Sequence, residues 1–200
     1  LKLQFLQERI EAFDISNISG EHTVASLVSW FQGKPDKAAY RKFKIKTVEG
    51  PNDFASMQEV MTRCYRRRKE EGKPLPQLIL IDGGKGQLAM AWRALQEIGI
   101  TEHEVDLIGF AKGRSEKKKK LPRHDEKDVE YVVKLHQKNP IRMQQKTQAI
   151  YLLKNIRDEA HRVAITFHRQ QRKKAFLHSE LEDLPGIGKE RRKSLLQHFG

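Results

Sequence analysis

The segment LILIDGGKGQ, residues 78–87, decides the fold of this 200-residue chain. Its first four residues are apolar without alternation, the pattern of a strand that is covered on both faces of a sheet. Asp82 and two glycines end this run, and a helical pattern follows over residues 87–99, with Gly99 as its C-cap. We therefore predict a central parallel strand with Asp82 at the carboxyl edge of an α/β sheet, where active sites usually lie. The alternative is that Asp82 merely caps the helix.

A second carboxylate is predicted to lie beside the first. The segment RIEAFDIS, residues 9–16, is typical of a short strand and contains Asp14. An unpaired carboxylate within a strand is costly, so it needs a partner or a metal. If this strand lies beside the 78–81 strand, Asp14 and Asp82 converge and repel one another unless a divalent cation lies between them. Oxygen ligands favour Mg²⁺ or Mn²⁺, so the sequence predicts a metal site.

The composition favours a polyanionic partner. The chain has 39 Lys and Arg residues against 26 Asp and Glu, a formal net charge of +13. A generically basic surface is the alternative, since net charge bears on association and not on fold. No apolar run approaches the roughly 20 residues of a membrane helix, and Cys64 is the only cysteine, so we expect no membrane partner, no disulfide framework and a cytoplasmic protein. Because the chain starts at Leu1, we expect it to be a fragment of a longer protein.

The remaining patterns give an element order. We predict three antiparallel strands, a helix, the central strand, a helix, a strand and a long final helix, at residues 9–16, 23–30, 40–46, 52–71, 78–81, 87–99, 105–110 and 147–174. Basic residues of the third strand suit an edge strand or a phosphate backbone equally. Residues 114–140 are read as a mobile basic loop, at 114–138, followed by a short strand or hairpin arm. Lys112 would share the sheet edge with Asp82, where it is either a transition-state cation or one of many surface lysines.

The first predicted helix, at residues 52–71, has an apolar stripe along one face. In the first helix, the stripe predicted to be core consists of Phe54, Met57, Val60, Met61 and Cys64.

The final helix carries a candidate histidine. His161 lies at the edge of its apolar stripe, and Arg157 and His168 fall on the same narrow strip. A histidine in a helix usually has a structural or surface role. Near two carboxylates that bind a metal, His161 would instead be a ligand or a general acid or base.

This element order, with acids on the first and fourth strands, is that of the ribonuclease H-like fold. The segments FDIS, LILIDGGKGQ, FAKG and IRDEAHRVAITFHR resemble, in the same order, the C-terminal endonuclease half of the UvrC family of bacterial excision-repair nucleases. The resemblance covers essentially Arg9 to Gly200 and departs over residues 114–138 and at Asn17, where a histidine is expected. DGGKG lacks the spacing of a Walker A motif, so a nucleotide-binding loop and a small-molecule substrate are disfavoured.

The resemblance implies an enzyme that cuts one DNA strand on the 5′ side of a lesion. By motif, the triad is Asp14, Asp82 and His161, with Mg²⁺ or Mn²⁺ as cofactor. Lys112 stays a candidate catalytic cation from its predicted place at the sheet edge. The expected partners are damaged double-stranded DNA and its complex with UvrB. From the residues alone, a non-catalytic nucleic-acid-binding module stays open, as does a ribonuclease or junction resolvase of the same fold.

The last residues give a separate signal. LEDLPGIGKERRKSLLQHF, residues 181–199, follows the helix-hairpin-helix pattern, in which backbone amides contact phosphate. A plain turn between two helices is the alternative. We expect an endonuclease domain over residues 1–176 and a truncated DNA-binding segment over 177–200, with contacts from Gly186, Gly188, Lys189, Arg191 and Arg192.

Overall fold

The computed structural model describes residues 3–16, 23–48, 52–112, 130–143 and 147–182, together with six single positions after residue 187. Its strands are β1 Arg9–Ser16, β2 Val24–Phe31, β3 Lys34–Pro35, β4 Arg41–Lys44, β5 Leu78–Asp82, β6 Asp106–Lys112, β7 Glu130–Lys134 and β8 Ile141–Arg142. Its helices are α1 Asp53–Glu70, α2 Lys85–Glu97 and α3 Gln148–Glu182, with a 3-10 turn at Lys37–Ala39.

All eight strands belong to one mixed sheet. Their order is β3-β2-β1-β5-β6-β7-β8, and β4 also pairs with β2. The strand β1 is antiparallel to β2 and parallel to β5, which is parallel to β6 in turn. This arrangement confirms the ribonuclease H-like class predicted from the element order, with the two acid-bearing strands as parallel neighbours.

The helices cover the two faces of the sheet separately. On one face, α1 and α2 pack on a core that includes Phe13, Ile79, Ile81, Met57 and Leu95. On the other face, α3 packs on a core that includes Ala12, Leu80, Phe110, Ile156 and Ala160. Successive residues of β1 and β5 therefore alternate between the two cores, as strand geometry requires. Among the described residues, no helix has both the length and the apolar character that a membrane span needs.

Several predicted boundaries were wrong. Two two-residue strands, β3 and β8, were not predicted because segments this short carry no periodicity. Helix α2 begins at Lys85 and ends at Glu97, with Ile98 as its C-cap. Gly99 follows that cap with φ +72, and the amide of Ile100 bonds to the carbonyl of Leu95. A glycine one residue beyond the cap is the usual way to close a helix in this conformation.

Two further predictions about the helices need correction. Phe54 was assigned to the core, yet it is 51% exposed. It lies in the first turn of α1, where its ring meets Gly86 instead of the sheet. Tyr65, outside the predicted stripe, is fully buried. The final helix extends to Glu182, eight residues beyond the predicted end at residue 174, so it continues across the boundary that we expected at 176.

Candidate metal centre

The two candidate carboxylates lie side by side on neighbouring parallel strands. Phe13 of β1 and Ile81 of β5 are register partners, which places Asp14 next to Asp82 at the carboxyl edge of the sheet. Phe13 and Ile81, which precede the two acids, belong to the core beneath α1 and α2. Because successive side chains of a strand point to opposite faces, Asp14 and Asp82 face α3. The residue that caps α2 is Gly84, without any side-chain capping bond. Asp82 is therefore not the N-cap residue of α2.

Helix α3 brings His161 to the same place. Its Nδ1 lies 3.2 Å from Oδ2 of Asp14, and its side chain is 57% exposed. One ligand atom each from Asp14, Asp82 and His161 falls within 4.8 Å of the others. The preceding residue of the helix is tied down as well, since the buried hydroxyl of Ser26 donates to the carbonyl of Ala160 at 2.8 Å. Ser26 is the register partner of Asp14, so the helix is fixed directly above the site.

The electrostatics of this cluster favour a cation. Burial raises the pKa of Asp14 above its usual value, and the contact with His161 opposes this effect. Asp53, the first residue of α1, raises the pKa further through its negative charge. An ionised Asp14 therefore lacks full compensation from the described protein groups. Two carboxylates and an imidazole at this separation fit a divalent metal ion.

Gly109 on β6 permits the close packing of the turn that follows Asp82. A Cβ at this position would lie 2.8 Å from the carbonyl oxygen of Gly83 and 3.4 Å from Cβ of Val133. Contacts below 3.0 Å to backbone force a shift. The amide of Gly83 also donates to the carbonyl of Phe110 at 3.2 Å. The turn after Asp82 therefore depends on the absence of a side chain on the neighbouring strand.

We expect Gly109→Ala to destabilise the protein by about 1–3 kcal/mol, because an extra methyl group overpacks this contact. Since the carbonyl of Gly83 must move, Mn²⁺ should also bind more weakly. Gly84→Ala is the control for an added methyl group that meets no atom within 4 Å. Because Gly84 is the N-cap of α2, this variant should lose some stability as a weaker cap but should keep Mn²⁺ affinity. Urea unfolding and calorimetry with Mn²⁺ measure both effects. Equal behaviour of the two variants would contradict the role given to Gly109.

A buried ion pair that sequence reasoning missed lies beside the centre. Arg157 is one helical turn before His161 and is 7% exposed. Its Nη1 donates to both carboxylate oxygens of Glu130 at 2.9 Å, and its guanidinium lies over the ring of Phe110. Phe110 is in turn the register partner of Asp82. The pair thus ties α3 to β7 on the side of the centre opposite Ser26.

A second buried carboxylate of β1 faces the other way. Glu11 has no exposed surface, accepts from the Tyr65 hydroxyl at 2.8 Å and pairs with Arg68 at 2.7 Å. Glu11 and Asp14 are three residues apart and therefore lie on opposite faces of the strand. The rule that a strand acid needs a partner applied equally to Glu11, so its signal was present in the sequence.

The other predicted site residues are only partly described. Lys112 ends β6, two residues beyond the register partner of Asp82, which agrees with the predicted sheet edge. The role of the Lys112 side chain stays a prediction. Of the hairpin, Gly186, Lys189 and Arg192 lie outside the described residues, as does most of the basic loop predicted over 114–138. Contacts from Gly188 and Arg191, two of the single described positions, remain predictions too.

Comparisons with known proteins agree with these features. A family model described as the UvrC RNAse H endonuclease domain matches residues 1–165. UvrABC system protein C of Protochlamydia amoebophila (strain UWE25) is 47% identical over 193 residues, which is 96% of this chain and 30% of that protein. The chain thus spans about three tenths of the length of this relative.

Solved structures of other nucleases are more distant. Human ENDOV is 11% identical with a TM-score of 0.43, covering 81% of this chain and 86% of that one. Endonuclease V (D234N) of Ciona intestinalis, in complex with a DNA 23mer that contains inosine, is 13% identical with a TM-score of 0.40. That match covers 63% of this chain and 65% of the other.

Proposed function

Because the chain belongs to the UvrC RNase H endonuclease domain family, we propose that it is a DNA endonuclease domain that depends on a divalent metal. It would cut one strand of damaged duplex DNA on the 5′ side of the lesion, in the cytoplasm, on a complex of UvrB with DNA. The observation that carries this proposal is the convergence of Asp14, Asp82 and His161 within 4.8 Å at the edge of the sheet.

Each side chain has a distinct chemical task in this proposal. Asp14 and Asp82 would hold Mg²⁺ or Mn²⁺ together with His161. A bound divalent ion polarises a phosphoryl oxygen and lowers the pKa of water. His161, whose Nδ1 faces Asp14 and whose ring is more than half exposed, would orient the attacking water or accept its proton. Water would then add to the phosphorus as the P–O bond to one ester oxygen breaks. The proton lost by the water is balanced by protonation of that leaving oxygen, which gives a phosphomonoester end and a hydroxyl end.

Two further groups would act on the DNA. Lys112 at the end of β6 would neutralise charge on the reacting phosphate. The hairpin residues Gly186, Gly188, Lys189, Arg191 and Arg192 would contact backbone phosphates within a separate segment over residues 177–200. For both groups the sequence pattern is the support.

The experiment that tests the function uses duplex DNA with one lesion, loaded with UvrB and labelled at the 5′ end. With Mg²⁺ or Mn²⁺ we expect a single nick on the 5′ side of the lesion. EDTA should remove all cleavage, and excess Mn²⁺ should restore it. Cleavage that persists in EDTA would contradict the metal requirement.

The same assay separates the alternatives. A non-catalytic binding module would shift the DNA in a gel but never nick it. A ribonuclease or a junction resolvase would instead cut an RNA–DNA hybrid or a four-way junction in preference to the damaged duplex. Either result would replace the proposed substrate.

A further inference from the structure

One flank of α3 extends away from the metal centre with two basic side chains on it. His168 and Arg172 follow His161 by seven and eleven residues. At 3.6 residues per turn, both lie within about 20° of the line through His161. At 1.5 Å per residue, they are about 10 Å and about 16 Å farther along the helix axis. His161, His168 and Arg172 thus form one row, which we call the α3 flank.

The residues of this flank differ in what they contact. His161 bonds to Asp14, as described above. His168 is only 5% exposed, yet it makes no hydrogen bond or ion pair with any described residue. Four buried polar side-chain atoms of the described residues lack a hydrogen-bond partner, and the ring nitrogens of His168 do not belong to this group. The ring is therefore largely packed, and its nitrogen atoms keep only a small solvent-accessible area.

The surroundings of the α3 flank are positively charged. No Asp or Glu occurs between His161 and Ser179, and Arg172 is exposed without an ion pair to any described residue. Strand β4 adds Lys44, the register partner of Val24, which in turn pairs with Ser16. Ser16 and Asp14 share a face of β1, so Lys44 lies on the face of the sheet that carries the centre. Beyond the two acids of the metal centre, α3 itself therefore offers an anionic ligand no carboxylate between His161 and Arg172.

We propose that His168 and Arg172 bind backbone phosphates of the strand that the metal centre cuts. This inference rests on the proposed function and names the side of the centre along which the DNA runs. The distances from His161 correspond to roughly three and five nucleotide steps at a rise of 3.4 Å per nucleotide. His168 donates from its packed imidazole, and Arg172 adds charge. Both are binding residues that leave the reacting phosphate to the metal centre.

The test measures DNA binding in EDTA, so that cleavage does not interfere. Arg172→Gln should reduce the slope of log affinity against log salt by about 0.9, the value for one lost duplex phosphate contact. His168→Leu keeps the packed volume but removes the donor, and should weaken binding about tenfold. His168→Gln retains an N–H donor and should recover part of the loss. Mn²⁺ affinity, measured by calorimetry, should equal the parent value in all three variants.

Arg66→Gln is the matched control. Arg66 is an exposed helical arginine without an ion pair to any described residue, and it lies near the far end of α1. It should leave the salt slope at the parent value. An equal fall for Arg66→Gln and Arg172→Gln would mean that net charge alone matters, and the proposal would be overturned.

Shortened DNA locates the contacts. Duplexes that end two nucleotides from the cut, on one side or on the other, remove the phosphates that the α3 flank would bind. On one of these two duplexes, Arg172→Gln and His168→Leu should bind as the parent does, while the other duplex should still show the defect. A defect that persists on both duplexes overturns the proposal.

The outcomes separate this inference from the proposed function. If the parent protein nicks damaged DNA but the variants bind like the parent, the inference alone fails. If the parent never cuts with any metal, yet both variants lose affinity with the expected truncation dependence, the nuclease assignment fails and the phosphate contacts stand.

Discussion

Replacing Asp14 with asparagine is expected to abolish strand cleavage while leaving the fold intact. The substitution removes a charged metal ligand but preserves the volume of a side chain that is 5% exposed. An amide is a far poorer ligand for Mg²⁺ or Mn²⁺ than a carboxylate, so Mn²⁺ affinity should fall together with the rate. The rate is measured in single turnover on the lesion duplex, and metal binding by calorimetry.

The control for this variant is Asp36→Asn. Asp36 is also a carboxylate near the sheet, and it pairs with Arg9 at 2.8 Å on the far side of β2. This variant should cut at the parent rate. Cleavage by Asp14→Asn near the parent rate would contradict the assignment of Asp14 as a ligand.

Asp14→Asn should be no less stable than the parent when metal is absent. Burial raises the pKa of Asp14 above its ordinary value of 3.8, so the folded protein binds this proton more tightly than the unfolded chain does. As pH rises from about 3.8 through the raised pKa, the folded state therefore loses stability relative to the unfolded state. Asp14→Asn lacks this loss. Urea unfolding in EDTA at several pH values should show the difference, and identical pH profiles would contradict it.

Replacing His161 with alanine should lower the cleavage rate by about 10²–10⁴, the range for a lost general acid or base. Mn²⁺ affinity should fall less than in Asp14→Asn, because both carboxylates remain. Stability should change little, since the ring is more than half exposed. Single-turnover rates at saturating DNA distinguish this loss from weaker binding.

His103→Ala is the matched control for His161→Ala. His103 is an exposed histidine in the turn before β6, without a hydrogen bond or ion pair to any described residue. It should cut like the parent. Free imidazole should restore part of the activity of His161→Ala but none to a ligand variant such as Asp14→Asn. If His161→Ala itself cuts at the parent rate, the histidine is structural.

The convergence of Asp14 and Asp82 could be predicted from sequence because it depends only on local patterns and one topological rule. An unbroken apolar run identifies a doubly covered strand, and parallel neighbours end at the same edge of a sheet. His161 was found by helical periodicity together with a family resemblance. The contact between its ring and Asp14 depends on where α3 packs on the sheet, and sequence periodicity carries no information on that position.

The errors have a common physical origin. Phe54 fits the stripe of α1 by spacing, but it lies in the first turn of the helix, where its ring meets Gly86 and is left half exposed. The partners of Glu11 lie on α1, 54 and 57 residues along the chain. The partner of Glu130 lies on α3, 27 residues along the chain. Such ion pairs depend on which helix covers which strand, and one-dimensional patterns do not determine this. The two-residue strands form only because a longer neighbour offers them a free edge.

The length of α3 has a geometric consequence for any nucleic acid held at the metal centre. The helix runs unbroken over Gln148–Glu182, and His161 lies 21 residues before its end. That stretch measures about 31 Å, or roughly nine base-pair steps of duplex. The helix therefore sets the distance and the direction from the metal centre at which the residues after Glu182 begin. The helix acts as a spacer of fixed length. One residue inserted after His161 would move the end of the helix about 1.5 Å along its axis and rotate it by about 100° about that axis.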